Sequence, residues 1–240
     1  MATSDVTAQT KVAMILFYSP IDRFIHKVIV VAHDAGLADA LEIAPTYPMR
    51  EGHDITALNP LNKVPTLALD DGRTLYGSQV ICEYFDSFNT TAPLYPASGD
   101  ARWDALRRLS LADQAFEINV QLTLNKTPEG KAVFDWAWPK LMRAFDQMER
   151  DVSTLGAFDI GQAGSLQALS YFDHACSQGL EVFGLTETYD WRVTRPKLAE
   201  WFAGAIKRPS VQSRFRKPFT GDTGPEQLRA HVERALAARS

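Results

Sequence analysis

The most constraining stretch of this chain is Asn-Pro-Leu-Asn-Lys-Val-Pro-Thr-Leu at 59–67, taken with Tyr-Gly-Ser-Gln-Val-Ile-Cys-Glu-Tyr-Phe at 76–85. Residues 64–69 read as a short apolar strand that runs into Asp70-Asp71-Gly72, a triplet suited to a turn needing positive φ. Residues 73–76 read as the returning strand. Ser78 then stands where a helix begins, ahead of Val80, Ile81, Tyr84, Phe85 and Phe88 at helical spacing. A proline-shaped turn, a hydroxyl and the amides of a helix N-terminus are thereby brought close together. Such a group of donors suits an extended peptide that carries a carboxylate.

On either side the pattern changes in an orderly way. Residues 12–18 form a continuous apolar run, the mark of a strand buried on both faces. A helix is expected over 24–35, with Phe24, Ile25, Val28, Ile29 and Ala32 on one face and Gly36 as its stop. A second strand is expected over 41–44, then a loop over 45–57 with at most one helical turn. Asn89 to Gly99 has the Pro, Ser, Thr and Gly content of a linker. Beyond it everything reads helical. Asp100 is a candidate cap for a helix reaching 124, and Phe134, Trp138, Leu141, Phe145, Met148 and Val152 make an amphipathic helix. Pro139 should kink or break that helix. Asp159 and Gln162 have the spacing of a capping box, and Leu228, Val232, Ala235 and Leu236 share one face of a terminal helix.

The 59–85 block resembles the glutathione-binding half of cytosolic glutathione transferases, especially their bacterial forms. The resemblance extends over 12–219, taking in Ala168 to Asp173, Asp190-Trp191-Arg192, Pro196 to Trp201 and Arg208-Pro209-Ser210. It implies an α/β plus all-α chain: a thioredoxin-like domain over 12–87, a linker over 88–99 and an all-helical domain over 100–220. Residues 221–240 form an extension outside it. By resemblance Pro65 is cis, the Val64 backbone pairs with the cysteinyl part of glutathione, and Ser78 binds the γ-glutamyl carboxylate. Lys63 matches a polar contact position, and Arg50 or His53 could face the glycyl carboxylate. The same likeness implies glutathione as co-substrate, no metal, a small hydrophobic electrophile bound between the domains, a role in detoxification, and a homodimer. Phe116, Leu122, Trp136 and Trp138 are candidates for lining that electrophile site.

Two positions depart from the family pattern. Asp22 occupies the place of the active Ser or Cys, in Asp22-Arg23-Phe24-Ile25-His26-Lys27-Val28, where Phe24, Lys27 and Val28 match. A carboxylate beside a sulfur raises the thiol pKa, the opposite of what thiol activation needs. Asp is also among the best N-caps, and that role alone explains it. Ser19 and Tyr18 are the substitute donors. Gly77 stands where Glu or Gln usually helps to hold the γ-glutamyl group. The chain therefore reads first as a glutathione transferase or a related thiol-dependent enzyme such as a disulfide reductase or peroxidase. The alternatives are a weakly active binder of glutathione or apolar ligands, and a structural or regulatory partner on the same scaffold.

Composition narrows the surroundings of that site. A formal net charge of −4 offers nothing to nucleic acid or an anionic membrane. Residues 1–11 lack the apolar core of a signal peptide, and no apolar run is long enough to span a bilayer, so the cytoplasm is the expected compartment. Both cysteines, Cys82 and Cys176, lie in helical patterns beside apolar neighbours and read as buried free thiols.

Overall fold

The computed structural model describes residues 14–19, 27–125, 127–177, 189–216 and 224–239, and shows a thioredoxin-like sheet region and a set of long helices. Asp22, and the start of the helix expected from residue 24, lie outside the described residues. The chain divides into two compact units. The first holds the sheet, the loops joining its strands and the last helix. The second holds residues 82–218 together with 23–35.

In the first unit, β1 (Met14–Tyr18), β2 (Leu41–Pro45), β3 (Thr66–Ala68) and β4 (Thr74–Tyr76) form one sheet in the order β2-β1-β3-β4. β1 and β2 are parallel, while β3 runs antiparallel to both β1 and β4. Every residue of β1 is buried, as its unbroken apolar run requires. The β3–β4 hairpin closes at Gly72, whose φ is 80°, with Leu69 N donating to Arg73 O at 2.9 Å. Helix α8 (Pro225–Ala237) opens with proline at its first position, where no intrahelical amide bond is lost. Its Leu228, Val232 and Ala235 complete a core with Ile15, Phe17 and Ile55. Arg234 donates twice to Glu42 of β2, at 2.6 and 3.1 Å, and His231 Nε2 lies 3.1 Å from the same carboxylate. The Arg234 bond, then its charge and His231, hold the Glu42 carboxyl below its ordinary value. This contribution to docking is complete above the ordinary carboxylate pKa and is lost as pH falls through the depressed one.

In the second unit, α3 (Gly99–Leu124) packs along α5 (Ile160–Ser177), with α4 (Lys131–Asp151), α6 (Pro196–Ala205) and α7 (Pro209–Arg216) around them. Described α1 (Lys27–Asp34) lies against α5 and α7, and α2 (Ser78–Asp86) leads into this unit at Cys82. Phe145, Phe172, Trp191 and Leu141 are fully buried in its core. Lys27 is fully buried and its ammonium pairs with Asp113, while its amide donates to Gln167 Oε1 at 2.9 Å. Such a pair contributes little net stability when intact, but removing either partner leaves a buried charge and costs about 3–5 kcal/mol. The end of α2 is tied down by Asp86, whose carboxylate accepts from the amides of Leu94 and Tyr95, both at 2.8 Å.

Three local expectations are corrected. α3 begins at Gly99 with Ser98 in the cap position, so Asp100 sits in the first turn, where its charge favours the helix dipole without capping. α4 runs through Pro139 without a break. Pro139 and Asp135 are both exposed, so the carbonyl that loses its helical donor lies on the solvent side. The capping box is half formed: Asp159 Oδ1 accepts from Gln162 N at 3.0 Å. Gln162 does not return the bond to the cap; it donates to Ala157 O at 2.8 Å and accepts from the Trp201 indole at 3.1 Å.

Asp159 also pairs with Arg108 at 2.6 Å. We expect Asp159→Ala to lower stability by about 1–2 kcal/mol, from loss of the cap with some loss of the ion pair. Asp159→Asn keeps the cap and should recover most of that. Urea unfolding of the two variants separates the contributions, and equal losses would show that the ion pair, not the cap, dominates.

Candidate functional site

Sheet register assembles the site. β1 pairs with β3 as Phe17↔Thr66, and β3 with β4 as Thr66↔Tyr76. Continued by one residue, the register sets Tyr18, Pro65 and Gly77 in a row across the sheet, with Pro45 of β2 beside Tyr18. A bond from Gly77 N to Pro65 O, 3.4 Å, confirms the last step. Ser19, Val64 and Ser78 lie one residue outward from this row on their strands or helix. The segments that the sequence marked separately therefore meet along one edge.

Each segment is shaped by its own residues. The Val64–Pro65 bond is cis. Just before it, Asn59 is buried, and its amide nitrogen donates to Lys63 O at 3.0 Å and to Thr66 Oγ1 at 2.9 Å. Thr66 Oγ1 donates to the same Lys63 carbonyl at 2.8 Å, and Asn59 Oδ1 accepts from Leu61 N at 3.0 Å. Asn62 adopts φ 49° and accepts from Ile55 N at 3.0 Å. Two asparagines thus fold 55–66 around themselves and present Val64 outside the β3 ladder. This role was missed in the sequence; the signal for it was two Asx residues in a loop ahead of Val-Pro.

Gly77 has φ 88° and carries the chain from β4 into α2, its carbonyl accepting from Ile81 N at 3.1 Å. A Cβ there would meet nothing within 4 Å, so backbone conformation and not crowding favours glycine. Ser78 is the first helical residue and is half-buried. The first-turn amides of a helix have no intrahelical acceptor and sit at its positive end, which makes this corner a place for an anion.

The remaining candidates divide. Tyr18 is 2% exposed, so its ring belongs to the interior, and its carbonyl accepts from Thr46 N at 2.7 Å. Ser19 is half-buried at the strand end. Lys63 is exposed beside the row. Arg50 is exposed and lies with its guanidinium 3.9 Å over the Tyr47 ring. His53 is buried and its Nδ1 accepts from Tyr47 N at 3.2 Å, a contact within the loop. Phe116, Leu122 and Trp138 pack into the core of the helical unit, whereas Trp136 is 60% exposed with Lys140 over its ring.

Cys82 is fully buried, and that burial, with Asp113 and Asp86 nearby and opposed by Lys27, pushes its thiol up to about 12. It is no nucleophile at neutral pH. The Cys176 side chain lies outside the described residues. Among the described residues no group of three or more His, Cys, Asp or Glu could hold a metal ion, and no helix is long and apolar enough to cross a membrane.

Comparison with known proteins points the same way. Residues 23–87 match the family model described as glutathione S-transferase, N-terminal domain. A glutathione transferase family member from Pseudomonas fluorescens Pf-5, solved with bound glutathione, is 29% identical with a TM-score of 0.70, over 83% of this chain and 97% of that one. A glutathione S-transferase from Methylobacillus flagellatus KT, also with glutathione bound, is 28% identical with a TM-score of 0.71, over 83% and 98% of the two chains. A stringent starvation protein A homolog of Histophilus somni is 35% identical over 89 residues, 37% of this chain. This chain spans only 41% of that relative.

Two outcomes follow for this corner. Asn59→Leu should cost about 2–3 kcal/mol by leaving buried polar partners unmatched, read as a shift in the urea midpoint. In a Cys176→Ser chain, Cys82 should resist a thiol reagent at pH 8 until the protein is unfolded. Rapid modification of the native chain would show that this part of the core opens.

Proposed function

We propose that this chain, a cytosolic glutathione S-transferase family member by its N-terminal domain match and its glutathione-bound structural relatives, binds glutathione along the 18–19, 64–65 and 77–78 edge. The observation that supports this reading is the register row that joins an extended backbone segment to a helix N-terminus. In the proposed pose the γ-glutamyl carboxylate meets Ser78 and the first-turn amides of α2, and the cysteinyl backbone pairs with Val64. Lys63 stands beside that peptide, and Arg50 is the candidate for the glycyl carboxylate. A small hydrophobic electrophile, a homodimer, the cytoplasm and a role in detoxification complete the proposal by family likeness.

The activating group decides between conjugation and simple binding. With Tyr18 interior, Ser19 is the first candidate donor to the sulfur, and Asp22 is read from the sequence as an N-cap. A second reading, glutathione held with little conjugation, is favoured by Gly77, which leaves open the space where a polar side chain would reach the ligand. Affinity should accordingly be weak.

Titration calorimetry tests the binding: Ser78→Ala should raise Kd about tenfold or more, the weight of one charge-assisted hydrogen bond. Absence of binding to wild type at millimolar glutathione would overturn the proposal. For the chemistry, Asp22→Ser exchanges a repelling carboxylate for a neutral donor that still caps a helix. Bound glutathione should then ionise more readily, one pKa unit corresponding to about 1.4 kcal/mol, visible as thiolate absorbance. A robust wild-type activity abolished by Asp22→Ala would instead make the carboxylate catalytic.

A further inference from the structure

Between β2 and β3, residues 46–65 contain neither helix nor strand, yet they carry Arg50, Lys63, Val64 and Pro65. A loop of that length loses much conformational entropy when ordered, and something outside it must hold it. Part of the order is internal, through Asn59 and Asn62. The rest comes from α8. Ile55 and Leu58, 0% and 3% exposed, sit in one apolar cluster with Leu228, Val232 and Ala235. Past the end of α8, Arg239 Nε donates to Gly72 O at 3.1 Å and its Nη1 to Ala57 O at 3.3 Å. The approach at the hairpin is close: a Cβ on Gly72 would lie 2.6 Å from Arg239 Cα. One arginine therefore joins the loop to the β3–β4 turn.

We infer that α8 and Arg239 form a clasp that sets the geometry of the glutathione loop, so that ligand affinity depends on residues 228–239 although none of them belongs to the ligand edge. The connection runs through short steps. α8 holds Ile55 and Leu58. Ile55 N donates to Asn62 Oδ1, and Leu58 O accepts from Thr74 Oγ1 of β4 at 3.1 Å. Asn59, adjacent to Leu58, fixes the Lys63 carbonyl beside Val64. Loosening of α8 frees 55–58 first, and the backbone that pairs with an extended peptide loses its preorganisation next. Arg239 and Leu228 are positioning residues in this arrangement. The inference rests on the binding pose above only in its final step, from the ordered loop to affinity.

The test uses the 240-residue chain carrying Arg239→Ala, and separately Leu228→Ala with Val232→Ala. Hydrogen exchange without ligand should accelerate over 50–64, while α3 and α5 keep their wild-type protection. Glutathione Kd should rise by about fivefold or more, the usual scale of coupling between separate sites. Arg239→Lys, which can still reach one carbonyl, should recover part of both effects. Unchanged exchange over 50–64 in Arg239→Ala would overturn the clasp, whether or not glutathione binds. Accelerated exchange with an unchanged Kd would overturn the step from loop order to affinity. A wild type that binds no glutathione would sink the binding proposal, with the exchange result still deciding the clasp. If the double variant fails to fold, Arg239→Ala, which removes no core side chain, carries the decision.

Discussion

One buried amide governs much of what this protein can present to a ligand. Asn59 lies where water cannot satisfy it, so its donors and acceptor must be matched by the chain around it. They are matched by Lys63 O, Thr66 Oγ1 and Leu61 N, all within a few residues. That local closure decides where the chain enters β3 and leaves Val64 just outside the β3 ladder. The antiparallel register then brings Tyr18 and Gly77 level with Pro65, so a contact made inside a loop fixes the placement of an entire edge.

The charges of the site contrast with those of the core. Lys27, the cation that the sequence places near the start of α1, is held within the helical unit by Asp113 and is fully buried. It is committed to that pair and offers nothing to a thiol elsewhere. Among the described residues, the edge has the partial charge of the α2 N-terminus and the exposed side chain of Lys63 beside it. A helix terminus contributes on the order of 0.3–1 kcal/mol to an anion at an exposed site. Modest electrostatics of this kind suit holding a peptide carboxylate better than driving a thiol far below its usual pKa.

Much of the fold was legible in the sequence because its signals are local. An unbroken apolar run announced β1, Asp-Asp-Gly announced the hairpin, and spacing of three and four announced α4. The errors came where several local solutions compete. Ser98 and Asp100 are both good cap residues, and the chain puts Ser98 in the cap position, though its side chain makes no capping hydrogen bond. Gln162 was available for the cap, but the Trp201 indole, from a helix about forty residues away, claims its oxygen. At the site, Pro65, Gly77 and Ser78 stood out by their backbone requirements. Asn59 did not, because an asparagine's worth there depends on burial, which no short window reports. Arg50 read as a candidate for the glycyl carboxylate, and only the loop conformation reveals the Tyr47 ring beneath it.

The placement of α8 has a consequence for synthesis. Strands β1 to β4 are complete in sequence by Tyr76, yet Ile15 and Phe17 find part of their cover in Leu228 and Val232. The Arg234–Glu42 contact spans 192 residues. While the helical unit emerges, the nascent sheet carries an apolar face that only the last described helix can close. Chains are made at about 5–20 residues per second, so that face stays open for many seconds, a target for chaperones and for other nascent chains. The thioredoxin-like unit begins first and finishes last, which makes premature termination near the C-terminus more damaging to the sheet than to the helices.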